Sequence, residues 1–304
     1  MAVDRVVETV GGRRLDATGR ISELFQHIAK FARRQPLGMV GAVIVVFAIL
    51  VAVLAPLIAP FDPYEPHPRL SFEAPGQEFL LGTDQIGRDV LSRLIYGARI
   101  SLYVGIVSVL VGTTIGTIVG IASAYFGGVI DLVTQRVLDA IMSFPGIILA
   151  IAIMAAFGSA SLENIIITLM IIFTPGAART IRSRVLSLKE LDFVLAARAI
   201  GASNQRILLR HLAPNVVSLY IVFFSITVGF AIIAEASLSF LGIGAPPDAP
   251  SWGGMLAQST SKGIDLAPWM AIFPGIAIGL VVFGFNLFGD ALRDVLDPRL
   301  RGTR

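Results

Sequence analysis

The chain has 304 residues, no cysteine, 55% apolar residues and 15% charged residues. Soluble proteins average nearer 25% charged, so a membrane protein is the first class to test, and a disulfide framework or cysteine-based metal site is excluded. The net charge of +3 is too modest to argue for a nucleic-acid partner, and its distribution bears instead on topology.

Residues 1–35 are polar and basic. Ile21, Leu24, Phe25, Ile28 and Phe31 or Ala32 recur at helical spacing, and Lys30, Arg33 and Arg34 accompany them. That pattern predicts an amphipathic helix on the inner leaflet, with residues 1–19 as a tail. The apolar run that follows starts too late and is too long for a signal peptide. Residues 36–59 form the first expected span: Pro36 opens it, no charge interrupts it, and Pro56 and Pro60 close it. Its length suits a hydrocarbon core of about 30 Å.

Residues 60–98 are a hydrophilic, proline-containing insert. Within and just beyond it lies LGTDQIGRDVLSRLIYGARISL, residues 81–102. Gly82 and Gly87 permit tight turns. Asp89 can cap a helix on which Val90, Leu91, Leu94 and Ile95 share one face. Asp84, Arg88 and Asp89 are expected to brace this loop. The second span is expected over residues 100–124, where Ser108, Gly112, Gly116, Gly120 and Ala124 fall four apart. Such a stripe lets another helix of the same subunit approach closely.

A third helix is expected from near Asp131 to Phe157, kinked at Phe144-Pro145-Gly146. Only Arg136 and Asp139 have favourable spacing for an ion pair within it. The fourth span begins near Ile165 and reaches Ala178, after which Arg179, Arg182, Arg184 and Lys189 mark the cytoplasmic side. Residues 179–215 form a long, basic and structured loop. In it Ala196, Ala197, Arg198 and Ala199 favour helix. Gly201 stands where a helix ends, beside Ala202. Ser203 can cap a second short helix over residues 204–212, and Pro214 suits the first turn of the next.

Residues 216–241 form the fifth span. Glu235 is an acidic residue well inside its apolar run. Such groups usually face a bundle interior or water, so Glu235 either lines a translocation path, or only hydrogen-bonds a neighbouring helix or lies at the outer interface. Residues 245–255, APPDAPSWGGM, form an outer loop, in which Trp252 suits the membrane–water interface, as does Trp269 at the start of the sixth span, residues 269–287. A polar tail follows, residues 291–304. Placing the N-terminus inside assigns 19 of the 24 Lys and Arg residues to the cytoplasm and five to the exterior, as the positive-inside rule requires.

Ala196, Ala197, Gly201 and Pro214 fall on the spacing of the cytoplasmic loop of ABC-importer permeases: Glu-Ala-Ala, three residues, Gly, nine residues, Ile-x-Leu-Pro. Leu195, His211 and Ala213 depart from it. Residues 81–102 resemble the signature preceding the second span in dipeptide, oligopeptide and nickel permeases. Residues 235–244 (EASLSFLGIG) and 245–255 resemble the same family. The resemblance covers nearly the whole chain after residue 36.

It implies an all-α polytopic membrane protein with six transmembrane helices, a type I ABC importer permease fold, and the role of second, or C-type, permease subunit. The implied complex is a heterodimer with a homologous permease, two ATPase subunits or a fused pair, and an extracytoplasmic peptide-binding protein, set in the lipid of a bacterial inner membrane with both termini cytoplasmic. ATP and Mg would be bound by the ATPase subunits, with no cofactor in this chain. Residues Ala196, Ala197, Gly201, Ala202, Ser203 and Pro214 would couple to those subunits, and Glu235 could line the path. The implied substrates are dipeptides or oligopeptides, with nickel or glutathione as alternatives. A secondary transporter is the rival from another class, and it would carry more buried ionisable groups. There is no phosphate-binding G-x-x-x-x-G-K-[ST], no H-E-x-x-H and no G-x-S-x-G, so catalysis by this chain is not expected.

Overall fold

The computed structural model describes residues 31–260 and 265–296. The expected inner-leaflet helix falls largely outside them, as do Lys262 and the tail beyond residue 296. The described residues form helices and loops with no strand. They build α1 (Pro36–Ile58), α2 (Val90–Phe126), α3 (Gly128–Met142), α4 (Gly146–Phe157), α5 (Leu162–Leu188), α6 (Asp192–Ala199), α7 (Asn204–Phe240), α8 (Trp252–Thr260) and α9 (Trp269–Leu296). Five of these, α1, α2, α5, α7 and α9, are long and apolar enough to cross a membrane, and α3 with α4 makes a sixth if counted as one broken span.

The spans differ from the expected boundaries for local reasons. Helix α2 starts at Val90, about ten residues before its expected membrane entry. The Asp89 side chain accepts from Ser92 N at 2.7 Å, which satisfies one of the free amides of the first turn. Its 37 residues reach about 55 Å at 1.5 Å per residue, well beyond a 30 Å core. It ends where Gly127 and Gly128 take φ of 64° and 55°, a region closed to most residues with a Cβ. Helix α5 continues ten residues past Ala178, and α9 nine residues past residue 287. Basic side chains at a membrane boundary do not end a helix, because they can extend along it toward water or pair with neighbours.

The third span is where the departure is largest. The expected kink is a 90° bend between α3 and α4. Pro145 supplies no N–H and stands as the residue before α4. The 12 residues of α4 rise about 18 Å, too little to cross alone. Helix α3 is fixed to α5 by pairs that spacing within one helix did not reveal. Asp131 pairs with Arg182, and Asp139 with Arg179. The expected Arg136–Asp139 pair exists at 3.7 Å but is largely exposed.

Helix α2 is the centre of the bundle. It packs along α5, α7 and α1, while α9 packs against α1 and α7. Gly112, Gly116 and Gly120 bring it onto α5. A Cβ at those positions would stand 2.9 Å from Met170 O, 2.5 Å from Thr174 O and 2.5 Å from Ala178 O. The three acceptors are also four apart, so the helices run in register and in parallel. Three apolar cores lie along the bundle. One joins α1, α2, α7, α8 and α9. A second, around Ile165, Leu169 and Met154, joins α4 and α5 to α2 and α7. The third gathers Ile121, Ile181, Val185 and Val216 beneath the loop that carries α6.

Candidate functional site

The loop between α5 and α7 is compact and stiff. Asp192 stands in the first turn of α6 and Arg198 in the last, each at the end of the helix dipole that favours its charge. Gly201 has φ of 79°. Its N–H donates to Arg198 O at 2.9 Å, and Ala202 N–H donates to Ala197 O at 3.0 Å. This crossed pair is a Schellman cap, which requires a residue that tolerates positive φ at the position of Gly201. Ala197 and Ala202 supply its usual apolar contact and belong to the third core. Ser203 Oγ then accepts from Arg206 N at 3.4 Å, a long bond that opens α7.

Ile207–Leu212 forms a π-helical turn, immediately ahead of Pro214. A proline lacks the N–H for the usual i−4 bond and its ring crowds that carbonyl. The wider turn accommodates both faults without ending the helix. Residues 204–212 are therefore the start of the fifth span and not a separate helix.

The two alanines of the loop motif differ in exposure. Ala196 is exposed, whereas Ala197 is 6% exposed and lies, with Val194, in the subunit's own core. The outward side carries Leu191, Phe193, Leu195 and Ile200, all exposed apolar residues. Ile200, at the tip beside Gly201, is 86% exposed. Sequence spacing identified the turn but not this apolar tip. Gly201, Ser203 and Pro214 are exposed as well, and Ala202 is half-buried.

Glu235 lies elsewhere, near the opposite end of α7, and is fully buried. Its carboxylate accepts from Ser101 Oγ of α2 at 2.9 Å and from Ser239 Oγ at 2.8 Å. Ser251 is buried as well and stands as the residue before α8. The serines are themselves oriented: Ser239 Oγ accepts from Ala245 N and Ser251 Oγ from Gly254 N, both at 3.1 Å. Ser251 thereby caps α8. None of the ion pairs among the described residues involves Glu235.

A second buried polar cluster fixes the far end of α8. Asp84 accepts from Ile86 N and Arg88 N at 3.0 Å and from Arg88 Nε at 2.7 Å. Arg93 Nε lies 3.7 Å from the same carboxylate. Arg88 and Arg93 both reach Gln258 Oε1, at 3.1 and 3.5 Å, and Arg93 also donates to Pro63 O. Asp84 and Arg88 thus brace the insert together with two residues that the sequence did not single out, Arg93 and Gln258. Trp252 is buried and donates to Leu94 O at 3.0 Å, so it is a packing anchor of α8 and does not face lipid headgroups. No group of three or more His, Cys, Asp or Glu side chains among the described residues could hold a metal.

The described residues thus form a bundle of membrane-length helices with an apolar-tipped loop between two of them. Residues 112–302 match the model of the family described as binding-protein-dependent transport system inner membrane component. Residues 24–75 match the N-terminal transmembrane domain of oligopeptide transport permease C. A putative peptide transport system permease protein of Brucella suis is 45% identical over 262 residues, 86% of this chain and 88% of that protein. The glutathione transport system permease protein GsiD of Escherichia coli is 44% identical over 272 residues, 89% of each. An inward-facing structure of the MetNI methionine ABC transporter matches 66% of this chain and 96% of its own with a TM-score of 0.52. At 20% identity that likeness concerns the fold alone.

The chain belongs to the binding-protein-dependent transport system inner membrane component family. It is an ABC-importer permease of the peptide and glutathione branch, a non-catalytic, multi-pass inner-membrane subunit. Permeases of this family work with ATPase and substrate-binding partners, and ATP hydrolysis lies in the ATPase subunits.

Proposed function

We propose that this chain is the C-type permease of an importer for dipeptides or oligopeptides. It pairs with a homologous second permease and forms half of the translocation path. Two ATPase subunits, or a fused pair, bind ATP and Mg, and an extracytoplasmic peptide-binding protein delivers substrate. Both termini face the cytoplasm, in keeping with the charge distribution. The peptide reading is supported by the oligopeptide-permease match over residues 24–75 and by the Brucella relative. Glutathione, itself a tripeptide, is the second reading, favoured by the GsiD relative.

The observation that carries the coupling role is the exposed apolar face of α6: Phe193, Leu195, Ala196 and the tip residue Ile200. A short helix with a stiff glycine turn behind it can seat these side chains in a partner groove without deforming. Gly201, Ala202, Ser203 and Pro214 fix that geometry, and Ala197 supports it from inside. Glu235 is a brace between the outer end of α7 and α2. Two hydroxyl donors and complete burial favour that role over a position on the path.

The test is uptake by the reconstituted complex of labelled di- to pentapeptides, glutathione and nickel, each competing with the others. Preferred uptake of dipeptides or other peptides over glutathione and nickel supports the first reading. Preferred uptake of glutathione supports the second. Ile200→Asp, in the same complex, should retain the permease pair and release the ATPase subunits. Normal uptake with that variant would remove the coupling role from α6.

A further inference from the structure

The loop carrying α6 shares an apolar core with α2, α5 and α7, and its polar side-chain contacts converge on the cytoplasmic end of α2. Lys189, just ahead of α6, donates from Nζ to Ala124 O at 3.2 Å. Arg198, in the last turn of α6, places its guanidinium carbon 5.2 Å from the Tyr125 ring centroid. Tyr125 donates its hydroxyl to Oδ1 of Asn204, in the first turn of α7, at 2.7 Å. Polar contacts from before, within and after the helix of the loop therefore converge on two consecutive residues. Apolar packing follows the same route, since Ile121 and Ala124 share a core with Val194 and Ala197.

Beyond this point α2 cannot carry motion further along its axis, because Gly127 and Gly128 end it. In the other direction it is bound to α5 through glycines that leave no room for a Cβ. A displacement of α6 that reaches Tyr125 is consequently passed to α2 and α5 together.

We propose that Tyr125 is a positioning residue that transmits movement of α6 to α2. The Asn204 hydrogen bond and the Arg198 cation over its ring are its two grips. The proposal rests on the reading of α6 as the coupling helix. Both grips lie on an exposed surface, where each is individually weak. They can be made and broken within a transport cycle, while the glycine-packed α2–α5 contact behind them stays fixed. A tyrosine suits the task because its ring is rigid and amphipathic, offering a π face to the cation and a hydroxyl to the amide.

The experiment uses the complete complex in proteoliposomes, with uptake and ATP hydrolysis measured on one preparation and subunit ratios read from it. Tyr125→Phe removes one grip, Arg198→Gln the other, and the double variant both. Each single change should lower substrate imported per ATP by about two- to threefold and the double change by about five- to tenfold, as expected for one exposed cation–π contact and one neutral hydrogen bond. ATPase subunits should remain at the wild-type ratio, and Arg198→Lys should restore most of the effect of losing the cation. An unchanged import-to-hydrolysis ratio in the double variant overturns the proposal. So does loss of ATPase subunits in proportion to lost uptake, because Tyr125 would then only shape the docking surface. The double variant keeps the aromatic ring and its packing, so assembly is expected to survive. Ile200→Asp separates this proposal from the one beneath it. If Ile200→Asp abolishes uptake while the double variant imports normally, the transmission role of Tyr125 fails alone. If Ile200→Asp imports normally, both fail.

Discussion

Asp131 of α3 and Arg182 of α5 meet in a two-pronged ion pair, Nε to Oδ1 at 2.6 Å and Nη2 to Oδ2 at 2.5 Å. Arg182 also lies on the α2 contact, its backbone N 3.1 Å from where a Cβ on Gly120 would stand. One residue therefore links the broken third span to the packed α2–α5 core. Both side chains are mostly covered, at 28% and 17% exposure. The bidentate geometry adds direction as well as energy.

Removing one partner leaves a half-buried charge. Asp131→Asn or Arg182→Gln should each cost about 1–3 kcal/mol, between the values for exposed and buried pairs. Combining them should cost less than the sum, because the double variant leaves no unpaired charge. Thermal unfolding of the purified permease pair in detergent checks this, and strict additivity would show that the two side chains do not act together.

The glycine stripe makes a sharper contrast. At Gly116 a Cβ would fall 2.5 Å from Thr174 O and 2.7 Å from Ala177 Cβ, so one helix must shift. At Gly279 it would meet nothing within 4 Å. Gly116→Ala should lower the yield of folded subunit severalfold. Gly279→Ala should change little, or stabilise α9 slightly through helix propensity, by up to about 1 kcal/mol. Equal yields from the two variants would contradict the close α2–α5 approach.

The stripe was readable because a four-residue spacing of small residues has one economical use in a helix pair. Gly201 was readable for a similar reason, since a glycine after a run of helix formers marks a Schellman cap. The partners of Asp131 and Asp139 were not readable. They lie 51 and 40 residues away, and helical spacing reports only neighbours three or four apart. Helix α8 was also missed, because its glycines and flanking prolines read as loop. It is held by Trp252, Ser251 and Gln258 and not by intrinsic propensity. The different burial of Ala196 and Ala197 needed the third core, which joins segments from four helices.

That difference in burial gives two neighbouring alanines different fates. Ala197→Asp places a charge among Val194, Ile181 and Val185, where an unpaired charge is poorly tolerated. It should reduce the amount of subunit in the membrane. Ala196→Asp points its charge outward and should leave membrane levels normal while weakening ATPase attachment. Blotting for the permease and the ATPase in the same membranes separates the outcomes. Matched behaviour of the two variants would mean that the loop turns over when partners bind.

The charge distribution predicts an inside position for α6 and an outside position for the insert. The chain has no cysteine, so single cysteines report cleanly. Ala74 and Ser203 are both exposed. An impermeant thiol reagent added to sealed cells should label Ala74→Cys and leave Ser203→Cys unlabelled until the membrane is opened. The reverse pattern would invert the topology.

Glu235 offers the clearest separation between a structural and a transport role. Its carboxylate takes two hydroxyl protons, from Ser101 and Ser239, and Ser239 Oγ is already held by the backbone N–H of Ala245. Glutamine has the same length but offers one acceptor oxygen and an amino group that can only donate. One serine must then turn to accept, and its own proton loses its acceptor. An unsatisfied buried group of this kind costs about 1–3 kcal/mol. Glu235→Leu leaves every serine proton without the carboxylate and should cost more. The loss falls on the connection between α7 and α2, so uptake should decline in step with thermal stability, Gln less than Leu. Ser101→Ala should resemble Glu235→Gln, because it removes one of the two donors and the link to α2. The measurement is the melting temperature and peptide uptake of the same reconstituted complexes. If Glu235→Gln melts like the wild type yet loses uptake, the carboxylate acts on the translocation path and the bracing role fails.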